Sequence, residues 1–158
     1  MIHDAFEDFV AALPPMTALV GLDFGEKTIG VAVSDRIGAV ATPLETIRRK
    51  KFTLDSARLL EIIAHRDIGG ILLGLPRNMD GSEGPRCQST RAFARNLMPL
   101  TDLPIGFWDE RLSTVAAERA MLEADMSRKR RAERIDNIAA SYILQGALDR
   151  MRHMKSAG

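Results

Sequence analysis

The sequence predicts a mixed α/β domain with a five-stranded sheet that begins antiparallel, continues parallel and carries helices on both faces. Three observations point there. Two apolar, β-branched runs at 17–24 and 28–34 are joined by a segment short enough for a hairpin with glycine at the bend. The run GILLGL at 70–75 is continuously apolar, as expected of a parallel strand buried on both faces. From there on, strand-like segments alternate with segments of helical period, which indicates crossover connections. With 158 residues, 46% of them apolar and 27% charged, the chain suits one soluble globular domain with a full core.

Taken in order, residues 4–13 carry Phe6, Phe9, Val10 and Leu13 at helical spacing, and Pro14-Pro15 stops that helix. It reads as a helical extension, residues 1–15, packed on a single domain of residues 16–158. The hairpin strands 17–24 and 28–34 follow, then a third strand over 40–48. Thr53 is placed to cap a helix over 54–65, where Ala57, Leu60, Ile63 and Ala64 share one stripe. Strand 70–75 leads into residues 76–84, dense in turn formers, and then a helix over 85–98. Strand 105–108 ends at Asp109-Glu110-Arg111, and helices over 114–123 and 133–151 complete the chain. No repeat or linker divides it.

Net charge is only +1, so a nucleic-acid partner has to be met by a local basic patch and not by a global field. Cys87 is the single cysteine, which excludes an internal disulfide and suits a reducing compartment. Its ordinary reading is a small helix residue. The first residues are acidic where a signal peptide is basic, and no run approaches the roughly 18 apolar residues of a membrane helix. The expectation is a cytoplasmic protein with no membrane partner. His3, His65 and His153 lack ligand spacing and read as surface, while Trp108 and Tyr142 read as core. No aromatic platform for single strands is visible.

Three carboxylates are out of place. Asp23 lies inside the first β-branched run, where strands disfavour Asp and an unpaired buried charge is costly. Asp109-Glu110 closes a parallel strand, and α/β sheets bind ligands outside such carboxyl ends. Alternation sends those two side chains to opposite faces, so at most one joins Asp23. Asp136 lies off the polar stripe Arg134, Ser141, Gln145 and Asp149, on the side of Ala139, Ala140 and Ile143. Three carboxylates in one crevice repel unless cations hold them, and hard oxygen ligands suit Mg2+ or Mn2+. A pair of such ions clamps the attacking and leaving oxygens of a phosphodiester.

With these residues in view, GLDFGEKTIGVAVSD (21–35), GLPRNMDGSEGPR (74–86), DERLSTVAAERAMLEADMSRKRR (109–131) and IDNIAASYILQGALD (135–149) resemble the YqgF (RuvX) family. The motifs stand in family order over about 18–148. The resemblance implies a ribonuclease H-like fold related to the resolvase RuvC. It also implies metal-dependent hydrolysis of phosphodiester bonds, in 5′-end processing of the pre-16S ribosomal RNA. A Holliday-junction resolvase role has also been proposed for the family. Asp23, Glu110 and Asp136 match the family's acidic site and are implied as metal-ligating and catalytic. Thr28 departs from the pattern, since many relatives carry a basic residue there.

Arg128, Lys129, Arg130 and Arg131, with Arg134, form the densest basic stretch and are expected to flap over a nucleic-acid backbone. Lys27, Arg77, Arg86 and Arg111 lie on loops or strand ends and are expected to add phosphate contacts. The run 48–51 reads as a solubility feature, and the 81–84 turn offers weakly signalled backbone amides to a phosphate. The leading expectation is a Mg2+- or Mn2+-dependent nuclease of ribosomal RNA precursor, associating with ribosomal particles. A resolvase cutting branched DNA shares that chemistry but favours a two-fold homodimer over a monomer. A non-catalytic assembly factor would gain affinity by losing the acids. A sugar-kinase-like phosphate-binding module would need a second lobe that a chain of this size lacks.

Overall fold

The computed structural model of the chain describes residues 1–125 and 128–157; among these, the side chains at 123, 125, 128–134 and 157 lie outside the description. The expected basic flap of Arg128 to Arg131 falls on those positions. The elements run β1 (Ile2–His3), α1 (Phe6–Ala12), β2 (Ala18–Phe24), β3 (Thr28–Ser34), β4 (Ala41–Arg48), α2 (Phe52–His65) and β5 (Ile68–Leu75). Then come α3 (Pro85–Leu97), β6 (Ile105–Asp109), a 3-10 turn at Glu110–Leu112, α4 (Val115–Asp125) and α5 (Arg128–Ala157). The sheet order is β1-β6-β5-β2-β3-β4. β2, β3 and β4 form an antiparallel meander, while β5, β6 and β1 extend it in parallel with β2.

The sheet therefore has six strands, not five. The extra one, β1, is two residues long, too short to show any alternation in sequence, and is held through main-chain bonds such as Ile105 N–H to Met1 C=O at 2.9 Å. Thr53 does not cap α2. Lys51 occupies that place with no side-chain cap, and the Asp55 carboxylate turns back to accept from Lys50 N–H at 3.1 Å. The last helix begins at Arg128, five residues earlier than its apolar stripe suggests.

Alternation divides the core in two. Val20, Leu22, Phe24, Ile29, Val31, Ile71, Leu73 and Phe107 pack beneath α2 and α3, where Cys87 is also buried. Leu19, Ala32, Leu72 and Trp108 pack on the opposite face against Ile143, Leu144 and Leu148 of α5 and Phe9 of α1. Glycines let α5 come close. A Cβ on Gly30 would stand 1.9 Å from the main-chain oxygen of Asp136, so only a residue without one admits the helix there. Tyr142, expected in the core, is half-buried and lines a surface cavity of about 720 Å³ with Phe6 and Trp108.

Candidate active site

Asp23 is the sixth residue of β2 and faces α5, since it alternates with Leu19 and Gly21. It pairs across the hairpin with Gly30, the residue that admits the backbone of α5 at Asp136. One glycine thus sets Asp136 beside the strand position that carries Asp23. On the other side, Trp108 of β6 belongs to the α5 face, and Glu110 follows two residues later at the start of the 3-10 turn. The intervening strand, β5, contributes Gly74, where a Cβ would come within 2.8 Å of Glu110 Oε2. Glycine there leaves the space between β2 and β6 to the carboxylate. Gly21 makes room for Leu144 of α5.

Asp23 and Glu110 are both buried, with 2% and 8% of their surfaces exposed. Among the described residues, one cation stands between them: Arg119 Nη2 of α4 donates to Asp23 Oδ1 at 3.2 Å and lies 3.6 Å from Glu110 Oε1. Arg86, at the start of α3, reaches within 3.7 Å of Asp23 Oδ1. Glu110 Oε2 is buried with no hydrogen-bond partner among the described residues. Asp136 Oδ2 accepts a hydrogen bond from the Thr28 hydroxyl. Burial pushes the Asp23 carboxyl up, opposed by the charge of Arg119 and reinforced by that of Asp136. Burial, then the charge of Asp23, raises Glu110 to about 7.

The remaining expected residues separate into two groups. Arg86 faces Asp23 and borders the acids, while Lys27 is exposed on the β2–β3 turn. Arg77 and Arg111 instead bind Asp109, Arg111 through Nη2 at 2.7 Å and Arg77 at 3.7 Å, while Arg77 also pairs with Glu83 at 3.2 Å. Within the 81–84 turn, Gly81 N–H donates to Asn78 C=O at 2.9 Å and Ser82 N–H to Asp80 Oδ1 at 2.9 Å. Arg49, read as a solubility residue, clasps the β2–β3 turn through the carbonyls of Gly25 and Glu26 at 2.7 and 3.0 Å, its guanidinium over the Phe24 ring.

Arg119 was not anticipated. Its signal is a cation four residues after Val115, hence on the buried stripe of α4 and not opposite it.

The donor set suits a hard divalent cation in charge and ligand type: carboxylate oxygens only, one of them without a partner, already drawing a cation between them. Among the described residues, no three acidic, histidine or cysteine side chains already converge closely enough to hold one ion. Among them also, no helix is long and apolar enough to cross a membrane.

A mixed sheet flanked by helices, with carboxylates at the carboxyl ends of β2 and β6, defines an α/β protein of the ribonuclease H-like class. T. thermophilus RuvC, in its complex with a Holliday junction substrate, shares this fold at a TM-score of 0.56 and 12% identity, over 86% of this chain and 96% of that one. The RuvX family, described as Holliday junction resolvase, matches residues 17–150, and the chain belongs to that family. A protein of Ruegeria sp. (strain TM1040) is 90% identical over 157 residues, 99% of this chain and 100% of its own, and bears the name "Putative pre-16S rRNA nuclease". A Ruegeria pomeroyi protein of the same name is 72% identical over 154 residues, 98% of this chain and 100% of its own.

Proposed function

We propose that this chain is a Mg2+- or Mn2+-dependent nuclease that hydrolyses phosphodiester bonds in the 5′-end processing of pre-16S ribosomal RNA. Residues 16–158 form the nuclease domain, and 1–15 are an extension packed against it. The observation that carries the reading is the pair Asp23 and Glu110, buried face to face at the ends of β2 and β6 with too few partners for their charge. Natural folds keep such a costly arrangement where a ligand needs it. The family membership and the names of its relatives supply the substrate class.

Asp23, Glu110 and Asp136 would hold the ions. Bound divalent cations supply Lewis acidity toward a phosphodiester and an activated water, in the two-ion form where two are held. The chain's own residues do the rest. Thr28 fixes the Asp136 carboxylate through its hydroxyl, Arg86 brings positive charge to the mouth of the cleft, and exposed Lys27 offers a phosphate contact beside it. Arg128, Lys129, Arg130 and Arg131 would track the backbone of the nucleic acid. Arg77 and Arg111 act at one remove, by anchoring Asp109 and the loop that precedes α3.

The test is cleavage of a pre-16S 5′ leader by the wild type, Asp23→Asn, Glu110→Gln and Asp136→Asn, with Mn2+ and with excess chelator. Cleavage confined to the wild type with metal is the expected result; undiminished cleavage in chelator would sink it. The family's resolvase description supports a second reading, tested by a four-way DNA junction in the same panel. Paired symmetric nicks by a dimer would favour it over RNA processing.

A further inference from the structure

The acidic pair holds a cation of the chain's own. Arg119 Nη2 sits between Asp23 Oδ1 and Glu110 Oε1 at 3.2 and 3.6 Å, so one guanidinium nitrogen serves two carboxylates. This is not the two-point fork by which arginine binds a carboxylate most firmly. The helix that carries it packs along α5 and the 3-10 turn but buries few of its described side chains. Among the described side chains of α4, only Val115, in the first turn, is fully buried, and Ala116, Ala117, Ala120, Met121 and Ala124 are exposed. Its first turn is also tied by Thr114 Oγ1 to Glu118 Oε1 at 2.7 Å. One turn beyond Val115, the ion pairs of Arg119 fasten the helix to the sheet.

We propose that Arg119 is a built-in competitor for the metal: its guanidinium and a divalent cation contend for the same oxygens of Asp23 and Glu110, so Arg119 sets the metal affinity of the site and its displacement loosens α4. The inference rests on the reading of those two carboxylates as metal ligands. A divalent cation takes both carboxylates only when Arg119 gives them up, because its added positive charge repels a guanidinium at that distance. Released Arg119 carries its charge to the mouth of the cleft, where a phosphodiester backbone supplies the anion it has lost. Metal and nucleic acid then bind cooperatively, each relieving a cost of the other.

Two measurements test this without reference to turnover. In calorimetric titration with Mn2+ at mildly alkaline pH, Arg119→Gln should bind roughly tenfold more tightly than the wild type, within the coupling expected of directly contacting charges. Arg119→Lys, which keeps a competing cation, should fall between them. In hydrogen exchange on the wild type, Mn2+ should speed exchange at the amides of 115–122 while leaving β2 and β5 protected. The second measurement needs no variant and stands even where Arg119→Gln folds poorly. Equal or weaker Mn2+ binding by Arg119→Gln overturns the competition while leaving the metal-site reading intact. So does slower exchange in α4 with Mn2+. Absence of Mn2+ binding in all three proteins overturns both.

Discussion

Asp109 and Glu110 are chain neighbours with opposite surroundings. Asp109, at the end of β6, accepts from the Arg111 amide at 3.0 Å and from Arg111 Nη2 at 2.7 Å, with Arg77 beside it at 3.7 Å. Those bonds, the Arg111 side chain first, hold its carboxyl below the usual range despite partial burial. Glu110 shares one arginine with Asp23, leaves an oxygen unpartnered and is raised to about 7. Strand alternation sends the first toward Arg77 and Glu83 and the second toward α5. The lesson is that carboxylates here are separable by how fully their charge is answered. On the proposed function, the saturated one is structural and the under-partnered one is where a ligand would bind.

The largest effect that could break this contrast is on cleavage. Asp23→Asn, Glu110→Gln and Asp136→Asn should each cost more than the roughly 10–100-fold typical of losing a supporting partner of a metal ligand. Asp109→Asn should retain most turnover per folded molecule. Any two of the first three combined should cost little more than one, because groups that act as a unit are not additive. A dead Asp109→Asn beside an active Glu110→Gln, with both folded, would reverse the assignment.

Next in size is the packing that brings the acids together. Gly30→Ala places a Cβ 1.9 Å from the Asp136 carbonyl, which belongs to the backbone of α5 and cannot swing aside. It should destabilise the fold by about 1–3 kcal/mol or more and depress cleavage even at temperatures where it is folded. Gly84→Ala, where a Cβ meets nothing within 4 Å, is the matched control and should change little. Equal melting of the two variants would remove Gly30 from the account.

Stability should separate the two neighbours in sign. Glu110 has a native pKa near 7, above the ordinary carboxylate value of 4.5, so the folded state binds the proton more tightly than the unfolded one. Carrying its charge therefore costs stability above about 7, and the cost fades as pH falls toward 4.5. With chelator present, Glu110→Gln should stabilise the protein by about 1–3 kcal/mol at mildly alkaline pH and by nothing in acid. Asp109→Asn should do the reverse, destabilising by about 1–3 kcal/mol at neutral pH because Arg111 and Arg77 lose a partner. Chemical denaturation of both variants across pH decides it; a Glu110→Gln less stable than the wild type throughout would show that the carboxylate is adequately partnered.

Much of this was legible in the sequence, and what was not has physical reasons. Strands β2 and β3 follow from β-branched runs and β5 from a continuous apolar one, and Asp23 and Asp136 were visible as acids on apolar faces. Alternation could say that Asp109 and Glu110 diverge but not which one joins Asp23, because that depends on which face α5 covers. Resemblance broke the tie for Glu110, and the placement of Trp108 in the α5 cluster agrees. β1 was illegible because two residues carry no period. Arg119 escapes a sequence reading because an arginine in a helix is ordinarily a solvated charge, and only the fold brings it between carboxylates 96 and nine residues earlier in the chain. Arg77 and Arg111 illustrate the converse: a cation near a site in sequence is not thereby free to bind phosphate.

The smallest expected effect tests the saturated side alone. Glu83, in the loop before α3, accepts from Arg91 Nε and Nη2 at 2.6 and 2.7 Å and pairs with Arg77 at 3.2 Å. Its side chain is only 24% exposed, and the Arg91 hydrogen bonds hold its carboxyl below the ordinary value. The linkage therefore runs opposite to that of Glu110. The contribution of Glu83 is fully present above its unfolded value of 4.5 and is lost as pH falls through the lower folded one. Solvent still screens part of the pair, so the amount is about 0.5–1 kcal/mol. Melting curves of wild type and Glu83→Gln should lie apart by that amount at neutral pH and converge in acid. Because Arg91 also reaches Asp4 at 2.7 Å, the variant should loosen the N-terminal segment before the sheet, read as earlier exchange at 2–6. Curves that stay parallel down to strong acid would mean that Arg91 answers no charge on Glu83. The contrast between the two sides of the strand end would then rest on Asp109 alone.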